Sequence, residues 1–275
     1  MRKFGKLISL GLVLIFALSL LLTGCGGQQQ AAAPDASKTI KVGVTAGPHA
    51  EIMEEVKKVA EKNGLKIQIV EFNDYIQPNV ALNQGDIDLN SYQHQPYLDN
   101  MVKDRKFDLV SVGKTVIFPM GIYSKKIKTL KELKDGALLA IPNDPTNGGR
   151  ALLLLEKQGL IKLKPGTGLN AAVTDIVENP KNLKIKELDA AQIPRSLDDI
   201  DFAAINTNYA MTAGLVPTKD AIAIEDANSP YSNIIAVRAK DKDNPVYAKF
   251  VKAYQSEEVK KFVAEHFKGS VVTGW

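Results

Sequence analysis

The sequence is poor in the residues that build covalent or metal frameworks. Among its 275 residues are one cysteine and three histidines. A disulfide framework is therefore excluded, and a metal site made of several histidines is disfavoured. Charge of one sign is also scarce. The formal net charge is +4, and subtracting Arg2, Lys3 and Lys6 of the leading segment (4 − 3) leaves about +1. The sequence pI near 8.9 thus overstates how basic the folded part is. No basic stripe interleaved with aromatics is present, which argues against nucleic acid as a partner. There is no P-loop, no dinucleotide fingerprint and no paired-carboxylate motif. The sequence therefore suggests no cofactor and no catalytic residues. Ser91 and His94 lie three positions apart, but no orienting carboxylate or oxyanion motif accompanies them.

Long apolar runs are limited to one. LISLGLVLIFALSLLL, residues 7–22, follows the positive segment MRKFGK. It is a little short for a transmembrane helix of ~20 residues and fits an export signal. The run ends in Leu22-Thr23-Gly24-Cys25, which resembles the lipobox of bacterial lipoproteins. Residues 1–24 are expected to be a signal peptide and Cys25 the lipidated residue, carrying palmitate or similar acyl chains. An uncleaved anchor with an incidental cysteine is the alternative. Two or more acyl chains on one residue anchor a protein stably. Residues 26–38, GGQQQAAAPDASK, have nothing to bury and are expected to form a tether spanning on the order of 20 Å. The folded body is then expected on the extracytoplasmic face of the cell membrane, where ATP and NAD are scarce.

From residue 39 onward, short β-branched runs alternate with longer helical periods. Strands are expected at TIKVGV (39–44), KIQIVEF (66–72), 88–90, FDLVSVG (107–113) and MGIYS (120–124). Ile52, Met53, Val56, Val59 and Ala60 share one helical face between Pro48 and Gly64. NVALNQG (79–85) reads as a short helix and Leu98, Met101 and Val102 mark another. A second series follows. TLKEL is a helical turn, ALLAIP (137–142) a strand, and Ala151 to Gln158 a helix. A helix near Ala171 to Val177, strands at 183–188, 202–206, 221–225 and 233–238, and a long helix from Val246 to Phe267 complete the chain. This alternation argues for an α/β fold with largely parallel sheets in two lobes. Lobe 1 is expected to comprise residues 39–119 and 228–275, and lobe 2 residues 120–227.

Open α/β sheets collect ligands outside the carboxyl ends of their strands. The segments after five expected strands are TAGPHAE, NDYIQPN, SYQHQPY, NDPTNGGR and TNYA. Four carry Asn, Tyr or Arg, and the fifth, which holds His49, offers backbone N–H groups near Gly47. Such clustering points to a small-molecule site. Arg150 stands at the expected head of a helix that Asp144 or Thr146 can cap, where guanidinium and helix N-terminus would clamp a carboxylate or phosphate. The plainer alternative is a surface arginine paired with Asp144. Arg195 competes, but Asp198 and Asp199 offer it local partners. Tyr92, His94 and Tyr97, around an expected proline-containing turn, can wall a soft group such as a thioether, or hydrogen-bond within the lobe interface. Asn206 and Asn233 at strand ends can accept from an ammonium, or serve as turn residues. Asp226 is a further ammonium partner if it is not simply solvated. His94 as a zinc ligand lacks partners, since His49 and His266 are poorly placed.

At these residues the chain resembles the methionine-binding lipoproteins of the NlpA family, the substrate-binding components of methionine ABC importers. The stretches that carry the resemblance are FNDYIQPN, NSYQHQPYLD, PNDPTNGGRALLLL, DDIDFAAINTNYA, EDANSPYSNIIAVR and the ending VVTGW. It implies a two-lobed periplasmic-binding-protein fold of type II, closing on one amino acid, with L-methionine expected. It also implies that Arg150 holds the ligand carboxylate with Asn147 nearby, and that Asn206 and Asn233 take the ammonium and carboxylate edges. Tyr75, Tyr92, His94 and Tyr97 would wrap the thioether. The implied partners are the permease subunits of an ABC importer and the membrane through the lipid anchor, and the implied oligomeric state is a monomer. Tyr92, where many relatives are expected to carry Phe, and Gly148, where a bulkier residue is expected, are departures. A free hydroxyl and a looser turn there would shift preference toward another amino acid or a methionine-containing dipeptide. An enzyme, an adhesin and a zinc-binding lipoprotein are the readings from other classes.

Overall fold

The computed structural model describes residues 39–226 and 229–275. The expected signal peptide, Cys25 and the tether to residue 38 lie outside the described residues. In chain order the strands are β1 (Ile40–Thr45), β2 (Ile67–Phe72), β3 (Leu89–His94), β4 (Leu109–Ile117), β5 (Gly121–Tyr123), β6 (Leu138–Pro142) and β7 (Lys162–Leu163). They continue as β8 (Ile176–Glu178), β9 (Lys184–Leu188), β10 (Phe202–Ile205), β11 (Ala223–Ile224), β12 (Ser232–Arg238) and β13 (Val272–Thr273). The helices are α1 (Pro48–Lys62), α2 (Gln77–Gln84), α3 (Gln95–Arg105), α4 (Pro145–Lys157), α5 (Thr207–Thr212), α6 (Pro217–Asp220), α7 (Pro245–Tyr254) and α8 (Glu257–Phe267).

Eleven of these strands form two sheets, each the centre of one lobe of an α/β fold. The first runs β13-β4-β12-β3-β1-β2 and the second β11-β5-β10-β6-β9. Burial follows from sequence pattern in both. In the first lobe, Val42 and Val44 of β1 meet the α1 face of Ile52, Met53, Val56 and Val59, and Phe250, Tyr254 and Val263 from the last two helices close the same core. The opposite face of that sheet packs Leu82 and Leu98 of α2 and α3 against Ile234 and Ala236 of β12. In the second lobe, Ala151, Leu152, Leu154 and Leu155 of α4 cover Leu139 and Ile141 of β6. Cores of this kind gain ~25 cal/mol for each Å² of apolar surface removed from water.

Several expectations need correction. The sheets are mixed rather than largely parallel. β12 lies antiparallel to β3 and β4, and β5 lies antiparallel to β10 and β11. The cause is connectivity: β4 leads without a helix into β5 of the other sheet, and β12 returns between β3 and β4. The segment after Asn90 is no turn, because β3 continues through Ser91 to His94 with every residue buried. Only there does α3 begin, with the His94 ring accepting from the Tyr97 N–H as its cap. Residues 171–177 form 3-10 turns and the start of β8 instead of a helix. The expected long helix of 246–267 is two helices, because the Ser256 hydroxyl caps α8 by accepting from the Val259 N–H. A serine before two glutamates is a start signal, and it outweighed the unbroken apolar period.

The correction with most consequence concerns α4. It begins at Pro145, not Ala151, so Arg150 is an interior residue and the Asp144 carboxylate caps the helix. Gly148 and Gly149 allow this start. A Cβ on Gly148 would stand 2.8 Å from the Pro142 carbonyl oxygen, and one on Gly149 would stand 2.6 Å from that of Leu169. Gly148 therefore marks a close approach and not the looser turn expected. Gly149→Ala gains up to ~1 kcal/mol of helix propensity, but it forces two backbone segments apart. A net loss of about 1–3 kcal/mol is expected, read as a lowered urea midpoint at unchanged m-value.

Candidate functional site

A pocket is lined by residues from both lobes: His49, Tyr75, Tyr92, Gln93, His94, Tyr97, Phe118, Asn147, Arg150, Asn206, Thr207, Asn208 and Asn233. All eight candidate residues, Tyr75, Tyr92, His94, Tyr97, Asn147, Arg150, Asn206 and Asn233, are brought together here. The strand-end rule explains the convergence. Every one of the five segments after β1, β2, β3, β6 and β10 contributes, and Asn233 arrives from the start of antiparallel β12, register-paired with His94. The first segment supplies the His49 side chain and not merely the N–H groups near Gly47.

The hydrogen-bond chemistry of the cavity is determined from Asp144 inward. A carboxylate only accepts, so the Asn147 amide that approaches both Asp144 oxygens, at 3.1 and 2.9 Å, does so with its Nδ2. Its Oδ1 therefore faces His94 Nε2 at 3.1 Å and Asn206 Nδ2 at 2.8 Å, and accepts from both. His94 is consequently protonated on Nε2, while its Nδ1 accepts from the Tyr97 N–H. Neither nitrogen engages Ser91 or is free for a metal. Asn206 is left presenting Oδ1, which is buried without a partner. Asn233 donates through Nδ2 to the Tyr92 carbonyl and to His49 Nε2. His49 must then carry its proton on Nδ1, donating to Thr45 Oγ1 at 2.8 Å.

Both histidines are neutral. Burial pushes His49 down to about 3, and burial aided by the Arg150 charge does the same for His94. Unfolded histidine titrates near 6.5, so between about pH 3 and 6.5 the unfolded chain holds more protons than the folded one. Stability is then fully present above pH 6.5 and falls as pH drops. The expected slope is roughly 1.4 kcal/mol per pH unit for each histidine, measured by urea unfolding between pH 6 and 4, and His49→Asn should remove about half of the histidine contribution.

Tyrosines form the apolar wall. The hydroxyls of Tyr92 and Tyr97 both donate to the Tyr75 carbonyl, at 2.6 and 3.1 Å, and the Tyr75 hydroxyl donates to Asn208 Oδ1 at 2.6 Å. Burial raises all three hydroxyls well above their ordinary range. The Tyr92 hydroxyl is thus engaged inside the protein and not offered to a ligand. Rings remain for contact, and polarizable groups such as thioethers gain ~0.3–1.5 kcal/mol against aromatic rings. The same bonds leave Asn208 Nδ2 as a buried donor without a partner.

Arg150 is 3% exposed and does not pair with Asp144. Its Nε and Nη2 donate to Glu225 at 2.8 and 2.5 Å, and Nη2 also donates to the Phe118 carbonyl at 2.8 Å. The Tyr231 ring lies 4.3 Å from its guanidinium carbon. Nη1 is the end left for a ligand, so a carboxylate would meet one edge of an arginine that is already held. Glu225 itself accepts from the Met120 N–H at 3.0 Å, which ties the pair to the crossing between β4 and β5. Sequence reasoning missed Glu225, Tyr231, His49, Phe118 and Asn208. Only His49 and Asn208 carry a signal, since both lie in segments that follow expected strands. Arg195 is exposed, with Asp198 paired to Lys125 instead. Asp226 is exposed and paired with Lys157, and His266 pairs with Glu51 on the surface. Among the described residues no helix is long and apolar enough to cross a membrane.

Comparison with known proteins agrees with this architecture. The D-methionine-binding lipoprotein MetQ of Salmonella typhimurium is 56% identical over 260 residues, covering 94% of each chain. A nutrient-binding protein from Burkholderia cenocepacia, solved bound to methionine, is 62% identical with a TM-score of 0.84, covering 86% of this chain and all of that one. Lipoprotein Tp32 from Treponema pallidum is 36% identical with a TM-score of 0.83, covering 86% of this chain and 99% of that one. The family model for NlpA lipoprotein matches residues 40–275, and the chain belongs to the NlpA lipoprotein family.

Proposed function

We propose that this protein captures methionine between its lobes and delivers it to an ABC importer. The observation that carries the reading is the set of polar groups of both kinds gathered in one pocket between the lobes. Arg150 Nη1 and Asn208 Nδ2 are donors suited to a carboxylate, and the oxygens of Asn206 and Asn233 are acceptors suited to an ammonium. The tyrosine wall beside them suits a thioether. The names of the relatives point to the same ligand. Residues 39–119 with 228–275 form the first lobe in this reading, and residues 120–227 the second. Each lobe contributes to the ligand's shell, so methionine favours the closed form that permease subunits would recognise. The protein works as a monomer, anchored through Cys25 on the extracytoplasmic face, and performs no chemistry on its ligand. His94 has both nitrogens engaged and no nucleophile within its hydrogen bonds, which supports binding over catalysis.

The test uses residues 26–275, unfolded and refolded to strip bound ligand, followed by thermal shifts with each amino acid. A ligand at 1,000 times its Kd stabilises by ~4 kcal/mol. The expected result is a large shift with methionine and none comparable with other amino acids. L- and D-methionine are titrated separately, because relatives are named for the D form while the family resemblance carries the L form as the expectation. A response to another amino acid alone would overturn the methionine reading.

A further inference from the structure

The buried Arg150–Glu225 pair has a consequence for which ligands the cleft accepts. Binding a carboxylate requires only one cation, and an unpaired arginine would provide it best. Here the arginine is instead neutralised in place. Two of its nitrogens donate to Glu225, whose side chain is 11% exposed, and a third interaction fixes Nη2 on the Phe118 carbonyl. Glu225 is itself oriented by the Met120 N–H. The other titratable groups in the cavity wall, His49, His94 and the tyrosines, are held uncharged by burial. Among the residues that line the cavity Arg150 alone bears charge, and Glu225 cancels it, while the lining presents polar atoms of both kinds: the Asn206 oxygen and Asn208 amide nitrogen are buried without partners, and Arg150 Nη1 and the Asn233 oxygen stand beside them. Such a wall matches a ligand that carries both charges and a net charge of zero. Burying a molecule of net charge in it leaves that charge uncompensated, which is costly in a low-dielectric interior.

We propose that Glu225 is a specificity-determining residue that makes the cleft select zwitterionic amino acids over anions of the same shape. It acts without touching the ligand, by cancelling the charge of Arg150. This inference rests on the amino-acid reading of the site. It predicts that Glu225→Gln converts the cleft into one of net positive charge, in which a monoanion is no longer penalised.

The experiment measures Kd by calorimetry for methionine and for its hydroxy-acid analogue, where a hydroxyl replaces the ammonium with little change in shape. Wild-type protein should prefer methionine by roughly tenfold or more, the scale of one charge interaction at a few ångströms in a partly polar interior. In Glu225→Gln the preference should shrink by a similar factor, and in Glu225→Asp, which keeps the charge, it should persist. An unchanged preference in a folded Glu225→Gln that still binds methionine overturns the inference while leaving the methionine reading intact. Wild-type protein that binds the hydroxy acid as tightly as methionine overturns it without any variant, even if Glu225→Gln does not fold. Wild-type protein that binds neither compound overturns the reading of the site and this inference with it.

Discussion

Arg150→Ala is expected to lose methionine binding by about 100-fold or more and to lower stability by ~3–5 kcal/mol. The two losses have separate causes. Binding falls because the ligand carboxylate loses its hydrogen bonds to a charged donor, each worth ~1.5–3 kcal/mol. The zwitterion's ammonium, still held by Asn206 and Asn233 in the proposed site, is then buried without compensation. Stability falls because Glu225 is left as a lone buried carboxylate, and removing one partner of a buried pair costs far more than the pair contributes. Its Met120 N–H remains, but one neutral donor does not replace a guanidinium. A double variant separates the effects. Arg150→Met with Glu225→Gln removes both charges at similar volume, so urea unfolding should recover most of the lost stability. Methionine binding should remain lost. Recovery of binding in the double variant would show that Arg150 contributes to the cleft only structurally.

The route by which the sequence pointed to this arginine was partly wrong in its reasons. Arg150 was legible because polar residues follow each expected strand, a pattern set by local connection and by the geometry of α/β sheets. Its placement at a helix head was not correct. Asp144-Pro145 is a start signal, a capping acid before a proline at the first helical position. The apolar run ALLLL masked it by suggesting that the helix begins where hydrophobicity does. The partner was beyond local reasoning altogether. Glu225 is 75 positions away and the pair exists only because β11 lies beside β5. Asp144, three positions from Asn147 and six from Arg150, was the local acid available for pairing, and it caps the helix as its other expected role had it.

The same limit explains the rest of the site and fold. The longer strands were legible from β-branched runs, whereas the short β7, β8 and β13 were not, and strand direction depended on how β12 re-enters the first sheet, which no local pattern encodes. The Tyr92 hydroxyl looked like a free polar group in the sequence. In the structure it closes on the Tyr75 carbonyl with Tyr97, so three tyrosines brought together by β3, α3 and the loop after β2 become one apolar surface. His49 enters the sequence reading only as a poorly placed metal ligand, yet its ring orients Asn233.

Asn147→Leu should be nearly as damaging as loss of the arginine, although both polar atoms of the Asn147 amide already have partners within the protein. Its amide nitrogen donates to the Asp144 carboxylate, and its oxygen accepts from His94 and Asn206. Leucine has similar bulk and keeps the helix, but it strands the His94 Nε2–H and an Asn206 N–H in a buried space. Each unsatisfied group costs ~1–3 kcal/mol, so unfolding free energy should drop by roughly 2–5 kcal/mol. Binding should suffer separately. Without Asn147 Oδ1, nothing compels Asn206 to present its own oxygen to the cavity, and the amide is free to turn over. Methionine affinity is expected to fall by about 10- to 100-fold, the scale of one misoriented charge-assisted bond. Asn206→Leu provides the comparison, because it removes the proposed ligand acceptor while leaving Asn147 its bond from His94. If Asn147 acts through Asn206, combining the two substitutions should weaken binding little beyond Asn206→Leu alone. Additive losses in that double-mutant cycle would instead mean that Asn147 meets the ligand directly.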